Sequence, residues 1–279
     1  MRLLDSSTIR SFREKVTDHY RTEGRDLPWR TTTDPYHVLV SEVMLQQTQV
    51  ERVINKYRAF LEACPDLSSL AAAPLPVLLR LWQGMGYNRR ALALRALACR
   101  VVKEYDGSLP ADRDTLMTLP GIGPYTSGAI MAFAFNKPVV FMDTNIRRVF
   151  IHEFFQTSES IHDNELLPLV QQTLDVRHPR EWYNALMDYG ATLKQKQGNP
   201  NKRSAHYARQ SSFENSNRQV RGRILKEILQ AAPPLTVARI AEATGMERER
   251  VERNLGDLEK EGFIIKRGRR YSVPESDRS

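Results

Sequence analysis

The sequence predicts an all-α body followed by a small module that mixes helices with a strand pair. Three observations carry that reading. Apolar residues recur at three- and four-residue spacing through most of residues 8–191. No alternating strand pattern of useful length occurs before residue 260. A polar stretch beginning near residue 192 separates the body from three further helical patterns and two short strands. The predicted organisation is one domain over 1–200, a linker over 201–218 and a second domain over 219–279.

Residues 8–22 form a helix with Ile9, Phe12, Val16 and Tyr20 on one face, and a polar loop ending in "DLPWRTTTDP" follows. From Tyr36 the pattern is helical again, with a break at the polar "QQTQ". "SSLAAAPLPVLLRLW" holds a capped apolar helix, and "RRALALRALACRVVKEY" is strongly amphipathic. "DRDTLMTL" and "LPGIGPYTSGAI" read as helix, tight glycine turn, helix. Gly121 and Gly123 permit positive φ and close approach of backbone to a ligand. Pro124 suits the first turn of the new helix, whose unpaired amides are donors for an anion. An ordinary helix–helix turn with Ile122 packed inside is the other reading. "TNIRRVFIHEFF", "NELLPLVQQTLD" and "PREWYNALMDYGATL" continue the helical pattern. In the last segment, "RGRILKEILQ", "TVARIAEATG" and "ERERVERNLGDLEKEG" are helical, and "FIIKRGRRYSV" forms two short strands around a turn. With Gly245 between the second and third helices, this is the layout of a winged helix-turn-helix.

The chain has 279 residues, enough for two domains. The first residues lack the long apolar core of a signal peptide, and no stretch approaches the roughly 20 apolar residues needed to span a bilayer. Cys64 and Cys99 fit a reducing compartment, and two cysteines are too few for a four-thiolate zinc or iron–sulfur site. The net charge is +8, and residues 191–279 hold all of it, with 19 Lys/Arg against 11 Asp/Glu. A basic terminal third points to an acidic polymer, most simply nucleic acid. A merely solvated surface is the plainer alternative.

Two carboxylates stand out. Glu42 lies in "VLVSEVMLQQTQV" among Val38, Leu39, Val43 and Leu45. Desolvation there raises its pKa, so that it keeps a proton near neutrality, whereas an outward-facing Glu on an amphipathic helix has no such role. Asp143 is delivered by the apolar "PVVFM" to the start of a helix, where it is a good N-cap and is expected to stay ionised. One protonated and one charged carboxyl is the division of labour of glycoside hydrolysis.

These motifs together resemble the helix-hairpin-helix (HhH-GPD) DNA glycosylase superfamily, which includes endonuclease III and the adenine DNA glycosylases. The resemblance covers about residues 25–191 and rests on "LPWR" (27–30), "SEVMLQQTQV" (41–50), "WQGMGYNRRAL" (82–92), "LPGIGPYTSGAI" (119–130), "MDTNIRRV" (142–149) and "MDYGA" (187–191). "SEVMLQQTQV" is most similar to the adenine branch. It implies a two-lobed, all-α helix-hairpin-helix glycosylase fold, acting in base excision repair on double-stranded DNA that contains a mismatch. Glu42 would then protonate the departing adenine and position water. Asp143 would stabilise the oxocarbenium-like sugar or trap it. Asn145 would orient water and carboxylates. Tyr125 stands where bifunctional relatives carry a Schiff-base lysine, which implies hydrolysis without strand cleavage. Gly121 and Gly123 would bind a backbone phosphate. Gln47, Thr48, Met85 and Tyr87 match residues that wedge the duplex and contact the opposite base, core packing being the alternative for Met85 and Tyr87. Arg30 and Asp188 match residues near the adenine or its supporting shell. A cytoplasmic, nucleoid-associated monomer is expected.

Three departures bear on specificity. Where the family carries four cysteines for an iron–sulfur cluster, this chain has "TLKQKQGNPNKRSAHYARQ", so no cofactor is expected, and Lys194, Lys196, Lys202 and Arg203 are expected to replace the basic loop the cluster shapes. A winged-helix segment stands where a Nudix-like domain that reads 8-oxoguanine is usual. Its expected DNA contacts are Arg248, Arg250, Arg253 and the stretch from Lys266 to Arg270. Thr144 replaces the usual Gly of the adenine branch and matches endonuclease III. Removal of adenine opposite guanine or 8-oxoguanine is the leading reading. A thymine/uracil mismatch glycosylase keeps the fold and changes the base. A non-catalytic winged-helix regulator would leave Glu42 and Asp143 without a task.

Overall fold

A computed structural model of the chain describes residues 3–208 and 213–275. Among the described residues the helices are α1 (Ser6–Glu23), α2 (Pro35–Leu45), α3 (Val50–Ala63), α4 (Leu67–Ala72), α5 (Leu75–Trp82), α6 (Arg89–Glu104), α7 (Arg113–Met117), α8 (Pro124–Phe133), α9 (Thr144–Phe154), α10 (Asp163–Thr173), α11 (Pro179–Gln197), α12 (Asn217–Gln230), α13 (Val237–Thr244) and α14 (Arg248–Lys260). The strands β1 (Leu235–Thr236), β2 (Ile265–Arg267) and β3 (Arg270–Ser272) belong to the C-terminal segment. The predicted all-α body with a winged helix-turn-helix is therefore the observed fold. The chain divides into two compact units, one drawn from Met1–Glu42 and Leu109–Arg209, the other from Val43–Ser108 and Gln210–Ser279. No described helix is long and apolar enough to cross a membrane.

In the first unit, α1, α9 and α11 pack around an aromatic cluster. Phe12 meets Phe150, Phe154 and Trp182 edge-on, at ring-centroid distances of 5.4, 5.1 and 5.8 Å. Edge-to-face contacts of this kind add to the area buried. At Gly190, any Cβ would lie 2.4 Å from the carbonyl oxygen of Asn145, so only glycine lets α11 press this closely on the first turn of α9. The Arg148 guanidinium then donates to the Gly190 carbonyl at 2.6 Å and locks the approach.

Residues 199–203, which span the predicted boundary between the first domain and the linker, pack onto α9. A 3₁₀ turn at Pro200–Arg203 follows α11, and Ser204 pairs with Ile161 in a parallel bridge. Asn201 is buried, and its side-chain amide donates to the Thr144 carbonyl at 2.8 Å. Arg203 donates to the carbonyls of Phe155 and Ile151 at the other end of the helix. The segment is held by polar groups on backbone oxygens, and a hydrophobicity pattern cannot register such a contact.

In the second unit, α4 packs on α6, and Asp66 and Ser69 form a reciprocal capping box at the start of α4. Phe60 and Trp82 meet edge-on at 6.0 Å. The C-terminal segment adds α12, α13 and α14 with an antiparallel sheet in the order β1-β3-β2. Leu235 and Thr236 supply the strand that sequence did not register; two residues are too few to display alternation. Gly245 caps α13 in the left-handed conformation at φ +67. Helix α12 buries Val220, Ile224, Leu225, Ile228 and Leu229, and packs on α13, α14 and α5. Arg80 donates to the Leu229 carbonyl at 3.2 Å, and Glu261 pairs with Arg89 at 2.7 Å and Arg221 at 2.5 Å.

Candidate active site

Glu42 sits on α2 beside buried Leu39, Val43 and Met44, and is 4% exposed. The Tyr125 hydroxyl donates to its Oε2 at 2.6 Å. Burial pushes the Glu42 carboxyl up to about 7; the Tyr125 bond pulls it down, the Asp143 charge raises it and Arg30 lowers it. Burial, together with the charges of Glu42 and Asp143, holds the Tyr125 phenol well above its ordinary range, so it remains a donor. A carboxyl poised near neutrality with one oxygen already oriented can deliver a proton in the physiological range.

Asp143 caps α9. Its Oδ1 accepts from the backbone N–H groups of Asn145 at 2.9 Å and Ile146 at 2.7 Å. The Asn145 side-chain amide donates to Oδ2 at 2.9 Å and accepts from Arg148 at 2.8 Å. The predicted cap is thus present, with a brace through Asn145 and Arg148. Burial acts against the ionised form that the cap favours. Protein packed around the half-buried carboxyl raises its pKa against the bonds from Ile146 and Asn145, which oppose the rise and favour the anion.

Arg30 ends the short turn that begins at Pro28, anchored by buried Trp29. Its guanidinium forks onto Asp188, with bonds of 2.7 Å to each carboxylate oxygen. Arg25 joins through its backbone N–H at 2.8 Å and Nε at 2.7 Å. Burial alone would raise Asp188, and the Arg30 bonds outweigh it, leaving the carboxyl below its ordinary range. Arg30 and Asp188 therefore form a buried support, and Arg30 reaches Glu42 through its charge.

The hairpin joins α7 to α8. Gly121 has φ +78, which favours glycine. Gly123 does not share that reason: its φ of −107 suits any residue. What Gly123 provides is space, since nothing lies within 4 Å of where its Cβ would be. Ile122 is buried, so packing and an open backbone face coexist here.

The remaining sequence-predicted residues lie in the second unit. Gln47 is exposed and Tyr87 half-buried, and both hold positive φ, 56 and 46, unusual for residues with side chains. Met85 is buried at 3% exposure, as the packing alternative expects. Thr48 contacts the Met85 carbonyl at 3.4 Å. The residue that organises these turns is Arg90, which sequence reasoning passed over inside "YNRRAL". It donates to the carbonyls of Val43 at 2.7 Å, Met44 at 3.0 Å and Gln46 at 2.6 Å on one side. On the other it reaches Met85 at 3.2 Å and Gly86 at 3.0 Å. Its guanidinium also lies over the Trp82 and Tyr87 rings at 5.4 and 5.7 Å. Burial lowers its pKa to about 10, still a cation at neutral pH. An arginine following another arginine gave no sequence signal for this role.

Residues 40–168 match the HhH-GPD superfamily base excision DNA repair protein model, and residues 218–265 match a winged helix-turn-helix DNA-binding model. An adenine DNA glycosylase of Mycolicibacterium smegmatis is 36% identical over 241 residues, covering 80% of this chain and 81% of that protein. The chain belongs to the HhH-GPD superfamily. The human adenine DNA glycosylase is 38% identical over 201 residues, covering 68% of this chain; the chain spans only 37% of that HhH-GPD relative. Among solved structures, a thermostable thymine-DNA glycosylase aligns with TM-score 0.63 at 27% identity, covering 70% of this chain and 91% of that one. An endonuclease III–DNA complex aligns with TM-score 0.55 at 20% identity, covering 70% and 87%, which shows the shared fold.

The residues present do not fit the iron–sulfur cluster implied by the resemblance. Cys64 is buried at the end of α3 and Cys99 is exposed on α6, and four thiolates are required. Among the described residues no group of three His, Cys, Asp or Glu side chains could hold a metal ion. Of the cations expected to replace the basic loop, Arg203 is bound to α9 and Lys196 pairs with Glu23 at 3.0 Å, while Lys194 and Lys202 are exposed.

Proposed function

We propose that the chain is a monofunctional DNA glycosylase that hydrolyses the bond to an adenine mispaired with guanine or 8-oxoguanine. The observation that carries this reading is the Tyr125–Glu42 contact at 2.6 Å, in a site where Glu42 titrates near 7 beside Asp143. A purine is a poor leaving group until a ring nitrogen is protonated, and Glu42 holds its proton at the pH where the reaction must run. Asp143, oriented by Asn145 and the start of α9, supplies negative charge to the oxocarbenium-like sugar. Tyr125 has no amine to form a Schiff base, so water completes the reaction and the strand stays intact. Its phenol instead positions the acid. The open backbone at Gly121 and Gly123 receives a phosphate of the duplex. No iron–sulfur cluster takes part, and residues 199–203 brace α9 in its place.

The names of the relatives support adenine as the base removed. The likeness to a thymine-DNA glycosylase favours a second reading, removal of thymine or uracil opposite guanine. Single-turnover assays on duplexes carrying A:8-oxoG, A:G, T:G and U:G separate the two. Adenine release that Glu42→Gln abolishes, with duplex affinity retained, is the expected result. Release of thymine alone, insensitive to that change, would establish the second reading.

A further inference from the structure

The second unit contains a groove of about 1310 Å³, larger than a small-ligand pocket. It is bounded by α3, the turns around Gln47 and Tyr87, and α12 of the winged-helix segment. Its charge is one-sided. Arg52 and Lys56 line one wall and Arg223 and Lys226 the other, and among the described residues none of the four has a carboxylate within ion-pair distance. The acid on the lining, Glu261, is occupied by Arg89 and Arg221.

Two details point to a polymer that enters this groove. Gly222 sits inside α12, where glycine costs about 1 kcal/mol relative to alanine, yet nothing lies within 4 Å of its Cβ position. Internal packing does not require the missing side chain, and its absence leaves the backbone of α12 open to close approach from the groove. Arg218, also on α12, donates to the Tyr87 hydroxyl at 2.6 Å, and its guanidinium lies 5.4 Å from the centre of the Tyr87 ring. The winged helix thus brings a planar cation onto a residue that the resemblance assigns to the base opposite the target. By contrast, two arginines of α14 are engaged locally, Arg248 with Glu252 at 2.9 Å and Arg250 with the Asn215 carbonyl.

We propose that this groove seats the DNA strand opposite the flipped nucleotide, that Arg218 reads the opposite base, and that Arg52, Lys56, Arg223 and Lys226 hold that strand's phosphates. The proposal rests on the glycosylase reading for which strand is bound. The guanidinium donates to O6 of guanine, which 8-oxoguanine shares. Cytosine presents an amino donor there and is rejected.

The test uses full-length protein carrying Glu42→Gln, so that affinity is read without turnover. Equilibrium binding to A:G and A:C duplexes is compared with and without Arg218→Ala, with Arg218→Lys as the second variant. The expected loss of preference for A:G is about tenfold for Ala, with Lys restoring little because it lacks the planar fork. Arg223→Ala with Lys226→Ala is expected to weaken every duplex equally and to reduce the salt slope of log affinity by about 2. Gly222→Leu is expected to weaken binding while leaving the melting temperature at or above that of the parent. Unchanged A:G preference in both Arg218 variants overturns the reader; an unchanged salt slope overturns the groove. Wild-type protein that releases no base from any duplex defeats the glycosylase reading, and the binding results still decide the groove.

Discussion

Replacing Glu42 by glutamine should make the protein more stable, and increasingly so as the pH rises. The folded carboxyl titrates near 7, against an ordinary value of 4.5. The sign follows from proton linkage. Between those two values the folded state holds a proton that the unfolded chain has released, so stability falls as pH rises. The contribution is fully present below the unfolded value and is gone above the folded one. Taking 7 and 4.5, the wild-type protein loses about 2.5 kcal/mol from this group between pH 5 and pH 8.5. Glutamine keeps the shape and an acceptor for the Tyr125 hydroxyl, but carries no charge to desolvate. The stability of Glu42→Gln relative to wild type should therefore grow by about 2.5 kcal/mol over that range. Urea unfolding of both proteins at pH 5, 6, 7, 8 and 8.5 measures it. A difference that stays constant to within about 0.5 kcal/mol would mean that Glu42 titrates normally, and the assignment of Glu42 as the acid would fail with it.

Base release should fall about tenfold per pH unit above 7 as Glu42 loses its proton, and Tyr125→Phe should move that limb to higher pH, because the phenol bond lowers the Glu42 pKa; single-turnover rates across pH 5.5–9 check both. Tyr125→Lys should gain a borohydride-trapped protein–DNA adduct that wild type does not form, since the side chain already reaches Glu42 in the site. Purified protein should show no stoichiometric iron and no visible cluster absorption, by metal analysis and spectrum. Asn201→Ala should lower stability by about 1 kcal/mol by removing its bond to the Thr144 carbonyl, and should slow base release more than it weakens duplex binding.

The parts of the site visible in the sequence are those where a residue type conflicts with its neighbourhood. Glu42 among Val38, Leu39, Val43 and Leu45 is such a conflict, and Glu42 is buried. Asp143 before a helix carries its own capping signal, and the cap is there. Its raised pKa was invisible, because desolvation depends on protein brought from distant parts of the chain. Arg90 was hidden for the opposite reason. Its partners are backbone carbonyls, which every residue offers, so no partner residue type announces the contact. The winged helix was legible from three helical periods and Gly245, but β1 was not, since its two residues become a strand only by pairing with β3.

Helix α9 shows how a site can be held from one neighbouring segment. Asp143 depends on the first turn of this helix for its orientation, so displacement of the helix would move the carboxylate. Three residues of one short segment hold α9 along its length. The Asn201 amide binds the Thr144 carbonyl at the start, the Asn199 side chain accepts from Arg148 near the middle, and Arg203 meets the Ile151 and Phe155 carbonyls at the end. A guanidinium at that end also complements the negative pole of the helix. Arg148 links this brace to the Asp143 carboxyl, because it also donates to Asn145, which donates to Asp143. Here the restraint runs through hydrogen bonds to α9 itself, next to the carboxyl that must stay in place. Loss of one of these bonds should therefore appear first in the rate of base release, with the fold otherwise retained.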